Sequence, residues 1–68
     1  MNNQQLRIEV LLEEVVKRRA SDLHLQVGLP PMLRVDGSLI PIAGFNPMDE
    51  AAVESLIFAI LDKTNAKF

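Results

Sequence analysis

The sequence predicts a small α+β domain of order helix, strand, strand, strand, helix, with a small, mainly antiparallel sheet. Three observations predict it. Apolar residues recur at helical spacing before residue 20 and again after residue 50. Between them, a run of alternating apolar and polar residues is broken by Pro30-Pro31 and by Asp36-Gly37. A period near 3.6 at both ends and a period of two in the middle is the pattern of helices packed on a half-buried sheet.

The first helix is expected from Gln5 to Arg19. Ile8, Leu11, Leu12 and Val15 follow the i, i+3, i+4, i+7 rule, and Leu6, Val10 and Val16 widen the stripe. Glu13 with Lys17 and Glu14 with Arg18 are i, i+4 pairs in the favourable order. The cations Lys17, Arg18 and Arg19 suit a C-terminal helix dipole, which accounts for them without a bound phosphate or an acidic neighbouring subunit.

Next, Leu23, Leu25 and Val27 alternate with Asp22, His24 and Gln26, a strand with one buried face. Pro30 and Pro31 cannot donate to a ladder and end it. Leu33 and Val35 alternate with Met32, Arg34 and Asp36 in a second strand, and Asp36-Gly37 supplies the positive-φ pair of a tight hairpin. Leu23, Leu25, Val27, Leu33 and Val35 are the expected sheet contribution to the core.

Leu39, Ile40 and Ile42 read as a third short strand, placed at a sheet edge by Pro41. Ala43 to Pro47 is a loop, and the second helix begins near residue 48, capped either by Asn46 with Pro47 or by Asp49. Val53, Leu56, Ile57, Ile60 and Leu61 give it a wide apolar face, with Ala52 and Phe58 at the margins. Glu50 and Glu54 lie on its polar side, and Lys63 to Asn65 ends it.

A chain of 68 residues is at most one small domain. Its apolar fraction of 49% suffices for a core of Leu, Ile, Val and Met. With three Phe, no Trp or Tyr and a net charge of -2, it lacks the stacking rings and dense cations that bind nucleic acid. The absence of cysteine excludes a disulfide framework and Cys-based metal sites. The polar start, Met1 to Gln5, has no signal-peptide character, and no apolar run approaches the roughly 20 residues that span a bilayer. A soluble, cytoplasmic protein with no membrane insertion is the expectation.

Ser21, Asp22 and His24 stand close in sequence, yet a strand puts Asp22 and His24 on one face and Ser21 on the other. That geometry disfavours a hydrolytic triad. The expectation is that Ser21 and Asp22 terminate the first helix, while His24 bonds across the sheet or lies in an interface. Arg34 and Asp36 share a face and are expected either to pair with each other at the turn or to reach outward together. Gly28, Gly37 and Gly44 are far apart and none precedes a lysine, so the chain lacks the Gly-x-x-x-x-Gly-Lys-Ser/Thr phosphate cradle. No Walker B carboxylate for magnesium is identifiable. No catalytic residue, metal ligand or cofactor is therefore assigned to these residues, and this chain is not expected to hydrolyse ATP.

The run Ala20-Ser-Asp-Leu-His-Leu-Gln-Val-Gly-Leu-Pro-Pro-Met-Leu-Arg-Val-Asp-Gly37 closely resembles the start of the N-terminal domain of the PilT-like type IV pilus twitching-motility ATPases. These are retraction motors within the type II/IV secretion ATPase superfamily. The likeness extends more weakly over the flanking helices to Asn65-Ala66-Lys67-Phe68. It implies that residues 1–68 are a single, truncated N-terminal domain with a partial PAS-like sheet, from which a RecA-like ATPase domain is missing.

The function so implied is non-catalytic: an assembly and interaction module of a hexameric pilus motor whose parent uses ATP and Mg. Implied partners are the neighbouring subunits, the parent's ATPase domain and the pilus machinery, in the cytoplasm at the inner face of the membrane. On the same resemblance Arg34, His24 and Asp22 fall at a nucleotide-proximal or subunit interface. The alternative is a stand-alone adaptor or PAS-like sensor that binds a partner, or a second copy, through an open strand edge containing Leu25 and Val27.

Overall fold

The structure, a computed structural model, describes residues 6–64. Its order is helix α1 (Ile8–Arg18), strands β1 (Asp22–His24), β2 (Met32–Val35) and β3 (Ser38–Pro41), and helix α2 (Glu50–Thr64). The α+β order read from the sequence is the one observed. The expected start of α1 at Gln5 lies outside the described residues; Arg7 is extended, at φ −130° and ψ 143°, and precedes the first turn.

Arg19 ends α1 in the left-handed region at φ 58°, normally a glycine position. Its N–H donates to the Val16 carbonyl at 3.2 Å, and that of Ala20 to Val15 at 2.9 Å. This pair of bonds is a Schellman closure. It reverses the chain into β1, so the helix stops through its backbone rather than through Ser21 and Asp22, as the sequence had suggested.

The strands form an antiparallel sheet of order β1-β2-β3. Leu23 lies opposite Leu33, and Leu33 opposite Ile40, so these three share one face. Leu33 is fully buried, which makes that face the inner one. Both helices pack on it: Ile8 and Leu11 from α1 and Leu56 from α2 join Leu33, Ile42 and Met48 in the buried core. Leu23, Leu25, Val35 and Ile40 are packed against this cluster.

β1 is shorter than the alternation predicts. After the pair His24–Met32, the next position on the β2 side is Pro31, which has no N–H to offer. The chain turns instead: the Leu29 N–H donates to the Gln26 carbonyl at 3.2 Å, with Gly28 at φ 93°. Val27 sits in this turn, 53% exposed, and is not a core residue. Leu25 keeps its place against the core but also leaves the ladder. Pro31 is fully buried, and its carbonyl accepts the Ile42 N–H at 3.0 Å, which carries the β2–β3 pairing one step further.

The loop before α2 is tied to the same turn. Gly28 N–H donates to the Met48 carbonyl at 2.8 Å, and Met48 N–H to the Leu29 carbonyl at 2.9 Å. This reciprocal pair holds the Met48 side chain in the core. Of the two caps expected for α2, Asp49 is used: its carboxylate accepts the Ala52 N–H at 2.8 Å.

The second helix presents less of its apolar surface to the core than expected. Leu56 is buried, and Ala52, Val53, Ala59 and Ile60 pack beside it. Ile57, Phe58 and Leu61 remain 45%, 66% and 57% exposed. A three-stranded sheet is too narrow to cover a stripe that wide.

Asp36 (φ 52°) and Gly37 (φ 83°) form the hairpin turn between the paired residues Val35 and Ser38, as the sequence predicts. A Cβ at Gly37 would meet nothing within 4 Å. The Gly37→Ala change therefore tests backbone conformation alone. It is expected to lower stability by about 1–2 kcal/mol in urea unfolding, the usual cost of a side chain in the left-handed region. An unchanged midpoint would contradict this turn geometry.

Candidate interaction face on the outer side of the sheet

Strand alternation sends Asp22, His24, Met32, Arg34, Leu39 and Pro41 to the face opposite the helices. In register, Asp22, Arg34 and Leu39 form one row across the sheet and His24, Met32 and Pro41 the next. The three residues singled out from the sequence thus come together on one solvent-facing surface. Arg34 Nε lies 3.3 Å from Asp22 Oδ2, and Arg34 Nη1 donates to the Gly37 carbonyl at 3.4 Å.

Ser21 completes the corner. Its hydroxyl donates to Asp22 Oδ1 at 2.8 Å, and its backbone N–H to the Arg34 carbonyl at 2.9 Å. One turn of the pleat further, His24 Nε2 is 3.1 Å from Gln26 Oε1. His24 therefore bonds to the segment that follows its own strand rather than across the sheet.

Two expected ion pairs are replaced. Arg34 bonds Asp22, its cross-strand neighbour, instead of Asp36, which the hairpin turn takes out of the strand. On α1, Glu14 takes both Lys17 (3.5 Å) and Arg18 (3.3 Å), so Lys17 pairs at i, i+3 rather than with Glu13. Sequence reasoning passed over Gln26 as the partner of His24. Their i, i+2 spacing on the polar side of a strand was the available signal.

With side-chain exposures of 41% and 52%, the Arg34–Asp22 pair adds only about 0–1 kcal/mol to the fold. A weak, solvated, geometrically fixed guanidinium–carboxylate pair suits recognition: it can exchange partners at small cost. Ser21, Asp22 and His24 do not form a nucleophile–base–acid chain, because the serine hydroxyl is directed to Asp22 Oδ1 and the Arg34 carbonyl. Among the described residues, no group of three or more His, Cys, Asp or Glu could hold a metal. No described helix is long and apolar enough to cross a membrane.

The architecture is thus that of a small α+β domain whose helices cover one sheet face and whose other face carries a fixed charged pair. No family model matches the chain. Over 60 residues, 88% of its length, it is 43% identical to the "Type IV pilus retractation ATPase PilT" of Pseudomonas aeruginosa, of which this stretch covers 17%. The resemblance to PilT-like retraction motors read from Ala20 to Gly37 is borne out as a similarity that extends over 88% of the chain.

Away from this face, Glu9 joins the two helices. It pairs with Lys63 of α2 at 3.4 Å and with Arg7 at 3.6 Å. Its carboxyl lies below the ordinary value of 4.5, first through its own backbone N–H in the opening turn of α1, then through Lys63 and Arg7. A lowered carboxyl pKa stabilises the fold above the ordinary carboxylate range, and the contribution is lost as pH falls through the folded value. A Glu9→Gln variant should therefore melt slightly below the wild type at neutral pH, with the gap closing below about pH 4. A gap that widens on acidification would contradict this role.

Proposed function

We propose that the chain is the N-terminal assembly and interaction module of a hexameric type IV pilus retraction ATPase and is not itself catalytic. The identity of 43% over 88% of the chain supports the parent. The observation that carries the module's role is the division of labour across the sheet. Leu33 and its row build the core, while Asp22, His24 and Arg34 stand together on the opposite face, outside the buried cluster.

The chain's own residues do not fit a nucleotide–magnesium site. Its three glycines form no phosphate cradle, and the described residues offer no carboxylate cluster. No step of hydrolysis is assigned to them. ATP and Mg would be held by the remainder of the longer protein, with Arg34 approaching that site or a neighbouring subunit as an electropositive contact and Asp22 fixing its direction. Among the described residues β1 has one unpaired edge, while the β3 edge carries Pro41. Further strands that extend the sheet into a PAS-like one would add at β1. The setting is the cytoplasmic side of the pilus base, among the pilus machinery.

In a full-length retraction ATPase carrying this segment, Arg34→Ala is expected to lower ATPase turnover and pilus retraction at least tenfold, or about 1.4 kcal/mol. His24→Ala should have a smaller effect, and nucleotide binding should persist in both. Wild-type turnover and retraction in Arg34→Ala would remove the outer sheet face from the account.

A further inference from the structure

The turn between β2 and β3 brings together two groups that the rest of the fold does not engage. Asp36 and Gly37 are both exposed, at φ 52° and 83°. Among the described residues, nothing bonds the Asp36 carboxylate or the Gly37 N–H. The Gly37 carbonyl is the group in use, accepting from Arg34 Nη1 at 3.4 Å. A Cβ at Gly37 would meet nothing within 4 Å, so the space beside this residue is open.

The other aspartates are placed differently. Asp22 is bonded by Ser21 and Arg34 and precedes Leu23. Asp49 accepts the Ala52 N–H and precedes Glu50. Asp62 lies inside α2, where the N–H of Lys63 belongs to the helix ladder. Asn46, whose amide could react in the same way, precedes Pro47, which has no N–H. Among the described residues, only Asp36 sets a free carboxyl beside a backbone nitrogen that is unbonded and belongs to a residue without a side chain.

We infer that Asp36-Gly37 is a site of spontaneous backbone modification, at which Asp36 cyclises onto Gly37 and reopens as isoaspartate. The Gly37 nitrogen attacks Asp36 Cγ, a new C–N bond forms, and the amide proton and the carboxyl hydroxyl leave as water. Water then opens the cyclic imide. Attack at Cγ restores aspartate, whereas attack at the main-chain carbonyl leaves the chain running through Cβ and Cγ. One water is released and one consumed, so no other reactant is needed. Because the reacting groups are neighbours in one chain, the step is intramolecular and requires only local opening of the turn. The isomer's main chain is one carbon longer at the hairpin apex, which displaces the Gly37 carbonyl and with it the second anchor of Arg34. Ageing of this turn therefore loosens the outer sheet face and leaves the Leu33 core in place. The inference does not depend on the motor reading above.

The test is to age the full chain for several weeks at physiological temperature in heavy-oxygen water, then map its peptides by mass spectrometry. Each imide hydrolysis leaves one heavy oxygen, and an isoaspartyl methyltransferase with a labelled methyl donor marks the isomer itself. Both labels are expected at Asp36, about tenfold or more above Asp22, Asp49 and Asp62. Gly37→Ala should slow the reaction about tenfold by setting a methyl group beside the attacking nitrogen. An effect of turn mobility alone would go the other way, since that change destabilises the turn. In the separated isomer, the Arg34 Nε–H resonance should move while the Leu33 methyl resonances stay. Labels no higher at Asp36 than at the other three aspartates, or an equal or faster reaction in Gly37→Ala, would overturn the inference. An unmoved Arg34 resonance would overturn the link from the turn to the outer face.

Discussion

The structure depends on Leu33. It sits in the central strand, pairs on one side with Leu23 and on the other with Ile40, and is sealed beneath both helices. A domain this small buries a modest share of its surface, so one fully enclosed side chain in contact with every layer has a large influence. Full burial of a leucine is worth about 1.5–3 kcal/mol in transfer free energy, and removing it adds the cost of a cavity. The backbone is arranged to protect that position. The Pro31 carbonyl takes the Ile42 N–H, and the Gly28–Met48–Leu29 bonds lay the loop and Met48 beside the core.

Fixing Leu33 inward fixes Arg34 outward, since adjacent strand residues face opposite ways. The charged face is therefore a geometric consequence of the core, and its composition is free to serve contact. Asp22 meets Arg34 because the β1–β2 register that puts Leu23 on Leu33 also puts those two side by side. A one-residue slip of β1 would bury Asp22 and expose Leu23, so the hydrophobic row and the ion pair specify the same register.

Much of this was legible in the sequence. Period-two alternation revealed both faces of β2, Asp36-Gly37 gave the hairpin, Pro41 marked an edge, and Asp49 was one of two foreseen caps. Alternation misled where the partner strand ran out: Val27 has a strand-like neighbourhood, but Pro31 leaves nothing for the following residues to pair with. Met48 entered the core through a backbone bond pair across 20 positions, for which local pattern carries no signal. The Arg34–Asp22 pairing was hidden for the same reason, because a local reading offers Asp36 first. On α2 the apolar stripe was visible, but how much of it the sheet could cover depends on sheet width.

The central claim is that the inner sheet face holds the fold and the outer face is left available for recognition. Chemical unfolding of Leu33→Ala and Arg34→Ala, two neighbours on opposite faces, tests it most directly. The account predicts a loss of about 2–5 kcal/mol for Leu33→Ala and no more than about 1 kcal/mol for Arg34→Ala. Comparable losses at the two positions, or a larger one at Arg34, would show that the charged face is part of the framework and contradict the account.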